Sequence, residues 1–253
     1  MKTKIDTNRL VKNLIKKIRK ILLYILFGKG GSLAKISDEI RIFTQAARHT
    51  NQLDGDYLEF GVYTGNSFIS AYYAMIDAYI WGNERWNIRK TEVRYYAFDS
   101  FEGLPETTGV DKNGPFSKGD YFCSQDKFLQ NLKEANVNLQ KVTCIKGWYE
   151  NTLNDDLKVR LNITKARMVH IDCDLYESTK LALDFVASLM QEGTIIVFDD
   201  WFQFRGNPQR GEQKAFYEWL ENNHQLQAVE YMREFPFRNS FIITFKIEEH
   251  KLK

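Results

Sequence analysis

The stretch "VHIDCDLYEST", residues 169–179, ends an apolar run on two carboxylates, Asp172 and Asp174. A second stretch, "GTIIVFDDWF", residues 193–202, repeats the design with Asp199 and Asp200. A carboxylate at the tip of a buried strand must be solvated, paired or bound to a cation, because an isolated charge is costly to desolvate. Asp199 and Asp200 are adjacent and repel each other unless a cation bridges them. Consecutive strands usually lie side by side, about 4.7–4.9 Å apart, so carboxylates from two tips can reach one ion. Asp172, Asp199 and Asp200 form an all-oxygen set, which suits Mg²⁺, Mn²⁺ or Ca²⁺ better than Zn²⁺. His170 shares the parity of Asp172 but lies two residues deeper, and it reads as a core histidine. Alternation turns Cys173 away. Asp174 either takes part in chemistry or caps the helix that follows.

Other candidates stand at comparable places. Gly61 and Gly65, in "EFGVYTGNS", follow an apolar run. Their spacing is not that of a dinucleotide-binding loop, and a tight strand-to-helix turn explains them equally well. Asp99 ends the next run, where doubly wound folds bond a ribose diol. Gly147 ends the third. Arg205 and Arg210 suit a phosphate through guanidinium forks, or belong to a solvated loop.

These residues need elements to position them. Short apolar runs at 57–62, 93–99, 141–147, 166–172 and 194–200 alternate with helical patterns at 67–80, 124–136, 177–193 and 211–224. A further helix runs from Ser37, as N-cap, to Thr50. Residues 148–165 read as a polar stretch and 101–122 as a loop. Such alternation predicts an α/β fold, a doubly wound and mostly parallel sheet covered on both faces. Two final runs, 226–232 and 240–247, lack an intervening helix and are expected to pair antiparallel. Ligands of such sheets bind beyond the carboxyl ends of the strands, where every residue named above falls.

The chain has 253 residues, 43% hydrophobic and 27% charged, with net charge +2. That suits one globular domain and names no polyanionic partner. Residues 1–30 carry nine Lys/Arg and one acid, a local balance of +8 that leaves the remainder at −6. Within them, residues 8–27 read as a basic amphipathic helix, packed on the body or lying on a membrane surface. Three cysteines without a CxxC pair point to a reducing cytoplasm. The apolar run 21–27 is too short to span a membrane, and no convincing cleavage site follows it. The expected division is a basic arm, 1–36, and a catalytic domain, 37–253.

Five segments, "YLEFGVYTGNS", "YAFDSFEGLPE", "GWYENTL", "HIDCDLYEST" and "IIVFDDW", occur in the order and spacing of the macrocin O-methyltransferase family, which the chain resembles over about residues 37–245. The resemblance implies a class I, Rossmann-like methyltransferase of seven strands, using S-adenosylmethionine and Mg²⁺ (or Mn²⁺) to methylate a sugar hydroxyl. It implies that Glu59, Gly61, Tyr63, Gly65 and Ser67 form the cofactor loop. Asp99 would hold the ribose with Ser100 beside it, Gly147 and Trp148 would border the adenine, and Asp172 would border the cofactor. Asp172, Asp199 and Asp200 match metal ligands, Asp174 a general base, and residues 103–122 a mobile lid. The expected partners are a free, nucleotide-linked or glycan sugar and a second copy of the chain, with no nucleic acid. The expected location is cytoplasmic, touching the inner membrane face through residues 8–27. The alternative is a metal-dependent glycosyltransferase using "DCD" as its D-x-D motif.

Overall fold

The computed structural model describes residues 33–86, 92–234 and 236–247. The chain divides into two compact units, 1–41 and 42–253, and the sheet and the site belong to the second. The basic helix expected over residues 8–27 lies outside the described residues. Among the described residues, no helix is long and apolar enough to cross a membrane.

The elements run α1 (Leu33–His49), β1 (Asp56–Phe60), α2 (Asn66–Trp86), β2 (Tyr95–Asp99), α3 (Gln125–Glu134), β3 (Val142–Lys146), α4 (Tyr149–Thr152), α5 (Asp155–Leu161), β4 (Ala166–Ile171), α6 (Tyr176–Val186), β5 (Ile195–Phe198), α7 (Gly211–Asn222), β6 (Leu226–Glu234) and β7 (Arg238–Phe245). Two expectations need correction. α1 begins at Leu33, so Ser37 is inside the helix and is not its cap. The polar stretch 148–165 folds as α4 and α5. There the Asn154 side chain accepts from Leu157 N at 2.9 Å, Asn162 closes the helix at φ 51°, and Leu157 packs into the core. Side-chain capping of this kind offsets the weak apolar pattern.

The sheet has the order β3-β2-β1-β4-β5-β7-β6. β1 to β5 pair parallel, and β7 lies antiparallel between β5 and β6. β1, β4 and β5 are buried along their whole length, as apolar runs covered on both faces must be. The strand order reverses between β1 and β4, the switch point beside which such sheets bind ligands.

Register sets the carboxyl ends level. Phe60 lies opposite both Phe98 and Ile171, and Ile171 lies opposite Phe198. The ladder continues one residue past the strands: Gly61 N donates to Phe98 O (2.9 Å), Asp172 N to Phe60 O (2.8 Å) and Asp199 N to Ile171 O (3.0 Å). Gly61, Asp172 and Asp199 therefore leave the sheet side by side.

Gly61 has φ 84°, and a Cβ built on it would lie 1.8 Å from the Asp172 carbonyl oxygen. Glycine is needed here for chain-to-chain approach. Gly61→Ala is expected to cost about 3 kcal/mol or more, because both the φ and the backbone clash oppose it. Urea unfolding measures that loss, and a midpoint equal to wild type would show that the two strand ends part freely.

Candidate active site

The four aspartates converge, and Asp174, Asp199 and Asp200 are each held by a different device. One oxygen from each of Asp172, Asp199 and Asp200 lies within 4.8 Å of the others. Asp174 sits at the centre of a three-residue turn, φ 64°, in which Leu175 N donates to Cys173 O at 2.6 Å. Positive φ in such a turn is strained for a side-chain-bearing residue. Asp174 is therefore not the helix cap that one sequence reading allowed: α6 starts after Leu175 with no side-chain cap of its own.

Asp199 is paired with Arg238, which β7 brings alongside because it lies antiparallel to β5. His170 is fully buried, with Nε2 3.6 Å from Asp199 and Nδ1 3.5 Å from Glu59. Burial disfavours its charge, but Asp199, Glu59 and Asp172 outweigh that and lift it to about 10. It is thus a core histidine set between two acids that favour its charged form. Burial alone would raise Asp199, yet His170 and Arg238 hold it down to about 2.

For the other acids the nearby cations, His170 beside Asp172 and Arg238 beside Asp200, are outweighed. Burial and then Asp199 push Asp172 well above the carboxylate range. Burial and then Asp174 do the same to Asp200. Asp174 rises to about 8 through burial and Asp172. Glu212, on α7, is 1% exposed; its Oε2 accepts from Asp200 N at 3.0 Å and its Oε1 has no partner. A surplus of buried negative charge on hard oxygen donors fits a divalent cation.

This surplus has a sign that can be measured. Between its ordinary 3.8 and about 8, the folded chain holds a proton on Asp174 that the unfolded chain releases. The added stability is complete below that window and is lost as pH rises through it, by up to about 1.4 kcal/mol per pH unit for each such group. Metal-free protein is expected to melt at a lower temperature near about pH 8 than near about pH 6, and saturating Mg²⁺ to narrow the gap by stabilising the ionised form. A gap unchanged by Mg²⁺ in scanning calorimetry would contradict this.

The expected cofactor residues line the neighbouring edge, and several are already engaged. Asp99 accepts from Val62 N (2.8 Å) and Tyr63 N (3.4 Å) with one oxygen and from Phe101 N (2.6 Å) with the other. It orders the turn after β1 as well as its own. Glu59 is completely buried, accepting from Tyr57 and from Ser67 Oγ (2.5 Å). Glu59 and Ser67 thus bond each other beneath the loop. Ser100 closes a turn, accepting from Glu102 N (3.0 Å) and donating to Gly103 O (3.1 Å). Gly65 opens α2 against Phe128. Gly147 N donates to Asp99 O (3.0 Å), with Trp148 half-buried at the start of α4. Tyr63, half exposed, meets the exposed Tyr121 edge-on at 5.7 Å. Arg210 is not turned to a phosphate: it donates to the carbonyls of Val110 (2.7 Å) and Lys112 (3.0 Å) and lies over Phe204. Arg205 is exposed on a left-handed turn.

Residues 38–231 match the family model described as macrocin-O-methyltransferase. The chain belongs to this family. A Streptomyces olivaceus enzyme, 8-demethyl-8-(2,3-dimethoxy-alpha-L-rhamnosyl)-tetracenomycin-C 4'-O-methyltransferase, is 27% identical over 154 residues, 58% of this chain. The match spans only 53% of that relative. The O-methyltransferase NovP superposes with a TM-score of 0.63 at 18% identity, covering 82% of this chain and 80% of its own. CalS11, a calicheamicin methyltransferase, gives 0.63 at 18%, covering 90% and 91%. At such identities the two structures establish the class I methyltransferase fold. The matched family is one of methyltransferases, not of glycosyltransferases.

Sequence reasoning passed over Glu212, Arg238 and the charge on His170. Glu212 had a signal: it shares the buried face of α7 with Ala215, Phe216 and Trp219, an acid on an apolar stripe. Arg238 had none, because only strand order brings it to Asp199.

Proposed function

We propose that this member of the macrocin-O-methyltransferase family is an S-adenosylmethionine- and Mg²⁺-dependent O-methyltransferase acting on a sugar hydroxyl. The observation that carries the reading is the convergence of Asp172, Asp199 and Asp200 oxygens within 4.8 Å, beside Asp174, at the carboxyl edge of the sheet. Asp172, Asp199 and Asp200 would hold the cation, whose bound charge acidifies a neighbouring hydroxyl. The loop 61–67, Asp99, Ser100, Gly147 and Trp148 would hold the sulfonium donor, with Glu59 bracing that loop from below. Asp174 would take the proton from the acceptor hydroxyl. Burial and Asp172 oppose its charge, and a cation bound beside it would favour the ionised form that a base needs. Positioning does the rest, since the attacking oxygen and the methyl must be aligned.

The test is S-adenosylhomocysteine release from S-adenosylmethionine with a panel of free and nucleotide-linked deoxysugars, with and without Mg²⁺. Turnover that needs both a sugar and Mg²⁺ is expected. Donor binding by calorimetry with no sugar accepted in any form would overturn the sugar assignment. The division into a basic arm 1–36 and a catalytic domain, membrane-surface contact by residues 8–27 from the cytoplasmic side, and self-association belong to the same proposal. Liposome sedimentation with and without residues 1–30 addresses the arm.

A further inference from the structure

Two helices follow the acid-bearing strand ends, and neither is capped by the side chain of its own N-cap residue. The N-cap positions of α6 and α7 are Leu175 and Arg210, with no side-chain hydrogen bond to the first turn. Helix starts leave several N–H groups unsatisfied and carry partial positive charge. Here one carboxylate from elsewhere serves both. Asp111, in the long loop between β2 and α3, accepts from Tyr176 N through Oδ2 (2.6 Å) and from Gly211 N through Oδ1 (3.0 Å). It is 3% exposed.

The surroundings support a deliberate attachment. Arg210 grips the carbonyls on either side of Asp111, those of Val110 and Lys112. A small apolar cluster separate from the main core joins Phe116 and Leu104 of the same loop to Leu175 and Phe204, which follow β4 and β5. The two bonded amides also lie at informative points. Tyr176 is two residues past Asp174, at the exit of its strained turn. Gly211 precedes Glu212, whose carboxylate holds the Asp200 amide.

We propose that Asp111 is a positioning residue: by tying Tyr176 and Gly211 together it docks the 101–123 loop and holds the Asp174 turn and the Asp200 backbone at the spacing the site requires. The proposal rests on the metal-dependent reading above for its consequence at the acids, and on hydrogen bonds alone for the docking. The mobile lid over residues 103–122 that the family resemblance implied would then open by breaking the two bonds that Asp111 accepts.

The experiment compares full-length wild type with Asp111→Asn, Asp111→Ala and the control Asp155→Asn, whose acid is exposed in α5. Amide exchange is followed by mass spectrometry over residues 101–123 and over the peptides that open α6 and α7. Exchange there is expected to rise about tenfold or more in both Asp111 variants, as loss of charged hydrogen bonds implies. Mn²⁺ affinity, measured by water-proton relaxation, is expected to fall about tenfold, in the range seen when residues orienting metal ligands are removed. S-adenosylhomocysteine affinity and the control should change less than about threefold. Unchanged exchange overturns the docking. Raised exchange with unchanged Mn²⁺ affinity overturns the positioning role, and so does equal loss of Mn²⁺ and S-adenosylhomocysteine binding, which marks general damage. Wild-type protein that binds no Mn²⁺ overturns both the metal reading and the positioning at the acids; the docking is then judged by exchange alone.

Discussion

Asp174→Asn is expected to slow methyl transfer by roughly 10²–10⁴-fold, the usual contribution of a positioned general base. Asparagine is nearly isosteric and tolerates left-handed backbone, so the φ 64° turn should survive the change. S-adenosylhomocysteine affinity should stay within about threefold, because a transition-state interaction is lost while ground-state binding remains. The decisive measurement is single-turnover methyl transfer to an accepted sugar. A rate equal to wild type would remove Asp174 from the chemistry and leave its strain without a use.

The second large effect concerns the cation. EDTA should abolish turnover and Mg²⁺ should restore it, whereas Asp200→Asn should leave the enzyme inactive at any Mg²⁺ concentration. At alkaline pH, where the cluster is forced to ionise, the same substitution should make metal-free protein more stable, by about 1 kcal/mol or more, because it removes an acid whose charge burial, Asp174 and Asp199 oppose. The opposite signs separate a metal ligand from a structural acid. Replacing a structural acid lowers the melting temperature in the absence of metal, so a fall in metal-free Asp200→Asn would argue against the site.

Much of this design is legible in residue order. Apolar runs too short for helices, each with a Gly or Asp at or next to its end, give the parallel strands and place Gly61, Asp99, Asp172 and Asp199 on one edge. That inference needs only the two-residue period of strands and the rule that parallel strands are buried on both faces. The likeness of five ordered segments to a methyltransferase family likewise needs no coordinates. The short helix α5 was less legible, since capping by Asn154 decides it more than periodicity does.

What the amino-acid order determined by itself is therefore the set of elements, their alternation and the four acids at strand tips, because these depend on local patterning. The tertiary structure alone decided how those acids are balanced. Strand order placed Arg238 beside Asp199, the turn of α7 aimed Glu212 at the Asp200 amide, and a loop some sixty residues upstream of α6 supplied Asp111 to two helix starts. The partners lie from 12 to 100 residues away along the chain, and a charge interacts across space without regard to the length of chain between.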